Sequence, residues 1–506
     1  MTLCIVGIGG CGREVARNFL ESQDIGKPLG DYVSFGLSKG MWLEADDKDI
    51  VEHKNKFYFD FKDTQNIYRP FVFSTKPKNE SDLVKAQGFD TNQDGFVREA
   101  HIPKAVYEID PSILEPVWHD AIKPYTTAAI GEKDLCDGVL FIVSLGGGTG
   151  TGVINPLTTY IRKDLPAYPI FVIGVLTQKG FDDHQKIDED RRDLAAAIAM
   201  HDLLMKNDGI DCLMLVDNEK WMQENPGLKI HEIYPKIDKD IFEAMKPLLA
   251  ARHYPNENAP CMAIKDFFIS NYLDRKHPQR PIIVPCFSSG KRRKGGDLVE
   301  DALKNGKFFE CDHRLADGAI IFARGFIDKD DLRDMRSVFF GEVPNLESQG
   351  NKGLIIWRKM GDSGGNEVLI LLRNPYGSKD AYKTPGSLEY RIHQVVEMAL
   401  GYMNTDILRK HTELRPEAIK ALDNYFYGQD MLKDSLMKAL TNLEKGEKYI
   451  FDKELHIFDT KGKERLQSRV SKSIDVSEDD KMRQIAREVF REEQAKAPRG
   501  RDIGTV

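Results

Sequence analysis

Two glycine-rich segments of this sequence have the composition of phosphate-binding loops. The first, Gly7-Ile-Gly9-Gly10-Cys11-Gly12, follows an apolar run and precedes an amphipathic stretch. Glycine lets a backbone approach an oxygen-rich ligand, and a helix that starts at such a loop offers free N–H groups and partial positive charge to phosphate. The segment fits the GxGxxG pattern of dinucleotide sites, but alone it equally fits another nucleotide site or a structural tight turn.

The second segment is richer in glycine and has fewer explanations. Ser144-Leu-Gly146-Gly147-Gly148-Thr149-Gly150-Thr151-Gly152 carries five glycines in its last seven positions. A structural turn needs one or two glycines, because each one costs conformational entropy on folding. This density favours a backbone wrapped around phosphates, with the Thr149 and Thr151 hydroxyls as further donors.

The run Gly-Gly-Gly-Thr-Gly-Thr-Gly at residues 146–152 resembles the phosphate-loop signature of the tubulin/FtsZ superfamily of GTPases. The resemblance extends over roughly residues 1–375 and suggests a divergent prokaryotic tubulin-like protein, whereas the rest of the chain resembles no known family. The resemblance implies that one GTP or GDP binds between the two glycine segments, at the carboxyl edge of a parallel sheet. Gly9, Gly10, Cys11 and Gly12 would then contact the same nucleotide as residues 146–152.

The resemblance also assigns residues to the guanine base. In the family, an aromatic residue and a polar residue four positions later hold the base, and Tyr234 and Asp238 have this spacing. A carboxylate accepts hydrogen bonds from guanine N1–H and N2–H₂, and a phenol ring stacks on the base. Asn218 resembles the family's base-contacting Asn. The alternatives are a Tyr in the core, a solvated Asp and an Asn that only makes a turn.

Further positions correspond to the phosphate end of the nucleotide. Asp46 and Asp47 resemble the acidic loop near the magnesium-bound phosphate, although surface carboxylates are common. Asn92 and Gly95 fall where the family's third loop meets the terminal phosphate. The segment around Asn92 also fits the opening of a calcium loop, but His101 stands where the twelfth-position Glu belongs.

The hydrolytic residue is expected after the long helix that links the two domains. In the family, carboxylates there position water against the nucleotide of the next subunit, so that polymerisation completes the active site. The stretch over residues 263–275 departs from the bacterial-type pattern of Asn, Asp and Asp. Asp266 is the first choice for the catalytic carboxylate and Asp274 the second, with the further alternative that neither is catalytic.

Short apolar runs alternate with amphipathic stretches over the first half of the chain, which predicts β-α units around a parallel sheet. The predicted strands cover residues 3–7, 40–45, 138–143, 170–175, 212–216, 282–285, 318–323, 353–357 and 367–372. The predicted helices cover residues 12–21, 153–163, 188–206, 234–251 and 329–336, and a further helix follows Ser477.

The predicted fold class is therefore α/β, in four parts that match the family's layout. Residues 1–233 form a tubulin/FtsZ-like parallel-sheet GTP-binding domain, and residues 234–253 form a linking helix. Residues 254–384 form a smaller α+β domain, and residues 385–506 form a helical C-terminal extension. The apolar face of the helix after Ser477 is expected to dock on its own domain or on another protein.

Composition excludes several other classes of protein. The chain has 506 residues, of which 41% are hydrophobic and 30% are charged, and this composition is typical of an ordinary folded protein. Its formal net charge of −8 argues against a protein that coats nucleic acid. Lys291-Arg-Arg-Lys294 is a local exception, expected to be a solvated loop or an anion contact. The seven cysteines include no CxxC pair, and no signal peptide or spanning segment is visible, so we expect reduced thiols and a cytoplasmic location.

These patterns predict a magnesium-dependent GTPase that assembles head to tail into cytoskeletal filaments. One alternative is a tubulin-like switch or adaptor that does not polymerise. The altered catalytic stretch supports this alternative, and sedimentation in the presence of GTP would distinguish it from a protein that forms filaments. The other is a Rossmann oxidoreductase, which the second glycine segment argues against. The Walker A and HExxH motifs are absent from the sequence.

Overall fold

A computed structural model describes the following residues of the chain. These are residues 3–8, 11, 12, 14–16, 18, 32–35, 56–57, 118, 123, 138–166, 168–176, 186–205, 209–228, 230–250, 279–348, 354–360, 365–404 and 429–451.

The elements alternate along the chain as the sequence pattern predicts. The strands are β1 (Leu3–Ile8), β2 (Tyr32–Phe35), β3 (Lys56–Phe57), β4 (Gly138–Ser144), β5 (Ile170–Leu176), β6 (Cys212–Asp217), β7 (Ile282–Gly290), β8 (Gly318–Gly325), β9 (Leu354–Met360) and β10 (Asn366–Arg373). The α-helices are α1 (Gly148–Asp164), α2 (Lys186–Met205), α3 (Asn218–Glu224), α4 (Ile230–Ala250), α5 (Gly295–Lys304), α6 (Lys329–Glu342), α7 (Pro344–Ser348), α8 (Leu388–Asn404) and α9 (Gln429–Lys445).

Within the described residues, ten strands form one sheet in the order β3-β2-β1-β4-β5-β6-β7-β10-β8-β9. Neighbouring strands from β3 through β7 run parallel, whereas β10 is antiparallel to both β7 and β8. A short parallel pairing of β6 with β7, at Leu213–Ile282 and Met214–Ile283, joins the two halves. The strands of the predicted α+β domain therefore continue the nucleotide-domain sheet, and the domain boundaries stay a prediction.

Both faces of the sheet are buried, which explains why its strands are almost continuously apolar. Along β4, Val139 and Phe141 face one core and Leu140 and Ile142 face the other. The first core lies under α1, α2, α5, α6, α8 and α9, and the second lies under α3 and α4. Each of the helices in the described ranges is too short or too polar to span a lipid bilayer.

Some helices and strands differ from the sequence predictions. The predicted helix over residues 153–163 begins earlier, at Gly148, because the glycine segment itself forms the first turn of α1. The strand β2 and the helix α5 were not predicted, since one is four residues long and the other opens with two glycines. The predicted strand at residues 40–45 and the helix after Ser477 lie outside the described residues.

The first glycine segment packs so closely on the sheet that side chains are excluded from it. A Cβ on Gly12 would lie 1.9 Å from the carbonyl oxygen of Ile142 in β4, and one on Gly7 would lie 2.1 Å from the oxygen of Gly12. Real Cβ atoms do not approach backbone oxygens to these distances. The segment therefore needs glycine at these two positions for packing, independently of any ligand.

Replacing Gly12 by alanine is expected to lower the free energy of unfolding by about 1–3 kcal/mol, because the methyl group overpacks the contact with β4. Gly341 in α6 is the matched control, since a Cβ there meets nothing within 4 Å. Its replacement by alanine should stabilise the helix by up to about 1 kcal/mol. Urea denaturation of both variants measures the difference, and equal effects would contradict this account of the packing.

Candidate nucleotide-binding site

Four parallel strands end at one edge of the sheet and deliver the polar segments of the site there. The last residues of β1, β4, β5 and β6 are Ile8, Ser144, Leu176 and Asp217. Ligands of open α/β sheets bind outside the carboxyl ends of the strands, at the point where the strand order reverses. In this sheet the order reverses between β1 and β4, which carry the two glycine segments.

The second glycine segment presents backbone N–H groups at this edge. The Leu145 N–H donates to the Val175 carbonyl at 2.8 Å, and this bond ties the start of the segment to β5. Gly147 is the N-cap of α1 and supplies no side-chain cap, and the first turn of α1 has no acidic residue. The N-terminus of α1 thus has no cap from the side chain of its N-cap residue, and helix N-termini supply the N–H groups and partial positive charge that bind phosphate.

The two glycine segments lie side by side. A Cβ on Gly150 would stand 3.3 Å from the Ser144 oxygen and 3.4 Å from the Ile8 oxygen, so the first turn of α1 fits between the ends of β4 and β1. Backbone approach this close is possible because the residue is glycine. This proximity is compatible with the predicted binding of one ligand between the two segments, which stays a prediction.

The helix α4 brings a buried carboxyl group against the first glycine segment. Asp238 is 8% exposed, and burial followed by the charge of Glu14 raises its pKa to about 7. The pKa of the Cys11 thiol is raised well above its usual value by burial, then by the charges of Asp238 and Glu14. Asp238 is thus an electrostatic neighbour of the loop that was predicted to hold the nucleotide.

Tyr234 precedes Asp238 by one helical turn and is 36% exposed. The alternative of a core tyrosine with a solvated aspartate predicts the opposite burial of these two residues. An exposed ring beside a buried carboxyl group is the arrangement that base stacking and hydrogen bonding require. Contact of either residue with a base stays a prediction.

Asn218 lies at the carboxyl end of β6 and is the first residue of α3. Its side chain is 6% exposed, and its Oδ1 atom has no hydrogen-bond partner among the described residues. A buried acceptor without a donor costs about 1–3 kcal/mol, and a ligand N–H would remove that cost. The arrangement favours a ligand contact over the alternative of a simple turn residue.

Two side-chain hydrogen bonds hold α3 against α4. The Trp221 indole Nε1 donates to Asp240 Oδ2 at 2.8 Å, and the Lys236 Nζ donates to Asn225 Oδ1 at 2.9 Å. The helices that carry Asn218 and Asp238 are therefore fixed to each other. These two hydrogen bonds could not be predicted from the sequence, because neither pair of residues belongs to a local motif.

The remaining predicted site residues divide into two groups. Gly146 and Gly147 precede α1, and Gly148, Thr149, Gly150, Thr151 and Gly152 form the first turns of its backbone. Outside the described residues lie Gly9, Gly10, Asp46, Asp47, Asn92, Gly95, Asp266 and Asp274. In the described part of the chain, no group of three or more His, Cys, Asp or Glu side chains could hold a metal ion.

The basic run Lys291–Lys294 forms a turn between β7 and α5, in agreement with the loop predicted there from the sequence. The Arg293 guanidinium donates to Asp301 at 2.8 Å, whereas Lys291, Arg292 and Lys294 have no ion pair within the described residues. The turn borders a cavity of about 520 Å³ together with the exposed ring of Phe326.

Comparison with known proteins shows which protein family and which solved structures the chain resembles. Residues 2–226 match the model of the Tubulin/FtsZ family GTPase domain, whereas no curated protein sequence matches the chain. The GDP-bound monomer of CetZ1 from Haloferax volcanii has a TM-score of 0.53 at 15% identity, over 80% of this chain and 100% of that one. CetZ2 from the same organism, as a GTPγS-bound protofilament, has a TM-score of 0.50 at 17% identity, over 74% and 92%.

The protein is thus an α/β protein with the sheet of the tubulin/FtsZ fold. More narrowly, the match of residues 2–226 to the Tubulin/FtsZ family GTPase domain confirms the resemblance identified from the sequence. At these identities the solved structures establish the shared fold alone. They do not test the individual site residues, which stay predictions.

Replacing Asp238 by asparagine tests the buried carboxyl group directly. The folded protein keeps a proton on Asp238 up to about pH 7, whereas the unfolded chain releases it near pH 4. The unfolding free energy of the wild type should therefore fall, relative to that of Asp238→Asn, as the pH rises from about 4 to 7. The total change should be about 3 kcal/mol. Chemical denaturation at several pH values measures it, and parallel curves for the two proteins would contradict the raised pKa.

Proposed function

We propose that this protein binds GTP at the carboxyl edge of its sheet, hydrolyses it with magnesium, and assembles head to tail into filaments. The observation that carries the proposal is the convergence of the buried Asp238 carboxyl group with the first glycine segment. The N-terminus of α1 lies beside that segment. Together they supply a site for a base at one end and for phosphates at the other.

The acceptors at the base end favour guanine over adenine. Guanine presents N1–H and N2–H₂ side by side, and the Asp238 carboxylate can accept one hydrogen bond from each. The remaining N2 hydrogen can be accepted by Asn218 Oδ1, which has no donor in the described residues. Adenine offers one amino group beside an unprotonated ring nitrogen, so it would leave an acceptor unsatisfied.

The phosphate end would be held mostly by backbone N–H groups. Residues 146–152 and the first glycine segment donate to the phosphates, and Asp46 and Asp47 are the proposed ligands of Mg²⁺. The ion would neutralise charge that develops on the phosphate oxygens during hydrolysis. Asn92 and Gly95 are the proposed contacts with the terminal phosphate.

Hydrolysis is proposed to require a second subunit. Asp266, or else Asp274, would orient water against the terminal phosphate of the neighbouring molecule, so that catalysis depends on positioning and electrostatics. CetZ2, which shares the fold and was solved as a GTPγS-bound protofilament, supports self-association into protofilaments. A cytoskeletal role in the cytoplasm follows from this proposal.

Two alternatives remain distinguishable. A tubulin-like switch that binds GTP without assembling would use the same base and phosphate contacts. A Rossmann oxidoreductase shares the strand order β3-β2-β1-β4-β5-β6. Its dinucleotide site does not, however, require a second glycine segment that leads into a helix after β4. If calorimetric titration with a nicotinamide cofactor gives no heat of binding, this alternative is excluded.

The pH dependence of GTP binding tests the assignment of Asp238. Accepting from guanine requires the carboxylate form, and the pKa of about 7 leaves this group mostly protonated at pH 6. The wild type should therefore bind GTP about tenfold more weakly at pH 6 than at pH 8. Asp238→Asn should bind weakly at both pH values. Isothermal titration calorimetry measures these constants.

The control for this experiment is Asp330→Asn, which changes an exposed carboxylate on α6. It should keep the wild-type affinity and the wild-type pH dependence, including any contribution from titration of GTP itself. An Asp238→Asn protein that binds GTP like the control would show that Asp238 does not contact the base. Absence of GTP binding by the wild type would overturn the proposed function.

A further inference from the structure

A buried arginine from the C-terminal part of the chain reaches the residues on either side of Asn218. Arg391 lies in α8, 174 residues after Asp217, and is 3% exposed. Its Nε atom lies 3.4 Å from Asp217 Oδ1 and 3.3 Å from Glu219 Oε2. One guanidinium group therefore binds the carboxylates that directly precede and follow Asn218.

Asp217 has a second role in the same contact. As the N-cap of α3, its Oδ1 atom accepts a hydrogen bond from the Glu219 N–H at 3.2 Å, which fixes the backbone around Asn218. Burial raises the pKa of Asp217, and the nearby Arg391 charge opposes that effect. Without the guanidinium, the buried Asp217 and the partly buried Glu219 would be neighbouring like charges with no cation between them, and the turn that carries Asn218 would have to rearrange.

The helix α8 is itself held firmly on both sides. It packs along α2 and against α9, and the buried Glu389 in its first turn accepts hydrogen bonds from the N–H groups of Gly377 and Ser378 at 3.0 and 3.4 Å. Arg391 therefore projects from a helix whose position is fixed by its neighbours. The contact connects a helix assigned by sequence to the C-terminal extension with the proposed base-binding edge.

We propose that Arg391 is a positioning residue for base recognition, which holds Asn218 in place through Asp217 and Glu219. The proposal rests on the proposed function, because the position of Asn218 matters for ligand selection only when a base binds there. It assigns α8 to the nucleotide site as a structural support. Arg391 acts through Asn218 and does not itself contact the nucleotide.

The test compares the affinities for GTP and ITP, because ITP lacks the amino group proposed to donate to Asn218. In Arg391→Met the ratio of GTP to ITP affinity should fall about fivefold to tenfold, as it should in Asn218→Ala. The double variant should show no greater loss of the ratio than Asn218→Ala alone, because both changes remove the same contact. Calorimetry at pH 8 measures all four proteins.

Arg373→Met is the matched control. Arg373 is 4% exposed and donates to Asp317 at 2.6 Å, so its replacement breaks another buried arginine–aspartate pair at the end of β10. This variant should lose stability but keep the wild-type ratio of GTP to ITP affinity. A loss of stability alone therefore cannot produce the expected result.

Several outcomes would overturn the inference. These are an unchanged ratio in Arg391→Met, a ratio reduced equally in Arg373→Met, and losses that add in the double variant. Should Arg391→Met fail to fold, Asp217→Asn decides the question, because it weakens the same ion pair and keeps the oxygen that caps α3. An unchanged ratio there contradicts the inference. A wild type that binds neither nucleotide would refute the proposed function instead.

Discussion

The approach of the Gly12 backbone to the Ile142 carbonyl sets the geometry on which the candidate site depends. With no side chain between them, the first glycine segment packs directly on β4. Gly150 likewise allows the first turn of α1 to enter between the ends of β1 and β4. Backbone N–H groups from two separate segments are thereby brought to one edge of the sheet, where side chains would otherwise have kept them apart. The chemistry of the edge depends on this close packing.

The described site carries polar groups whose environment is unfavourable without a ligand. Asp238 is buried beside Glu14, so its pKa is raised, and the Asn218 Oδ1 atom is buried without a donor. Stability alone would select apolar or better-paired side chains at such positions. Strained polar groups of this kind concentrate at functional sites because a ligand relieves them. The ion pairs of Arg391 then explain how Asn218 is kept in this position.

The sequence predicted most of the sheet and the placement of a glycine segment between β4 and the helix that follows it, for identifiable reasons. Strands such as β4 and β6 are apolar runs buried on both faces, and the run at residues 146–152 is specific enough to indicate the family. The start of α1 was missed because glycine has low helix propensity, which packing against two strands overrides here. The contact between Arg391 and Asp217 could not be predicted, since 174 residues separate them and neither belongs to a motif. The burial of Asp238 and Asn218 likewise emerges only when α3 and α4 pack together.

The most direct test of a GTPase completed between subunits is phosphate release from GTP and magnesium as a function of protein concentration. The account predicts almost no release below a threshold concentration and a steep rise above it. Asp266→Ala should abolish the release while GTP binding is retained, with Asp274→Ala compared alongside. A rate merely proportional to protein concentration, or no release from protein with bound GTP, would contradict assembly-coupled hydrolysis and favour a nucleotide switch that does not polymerise.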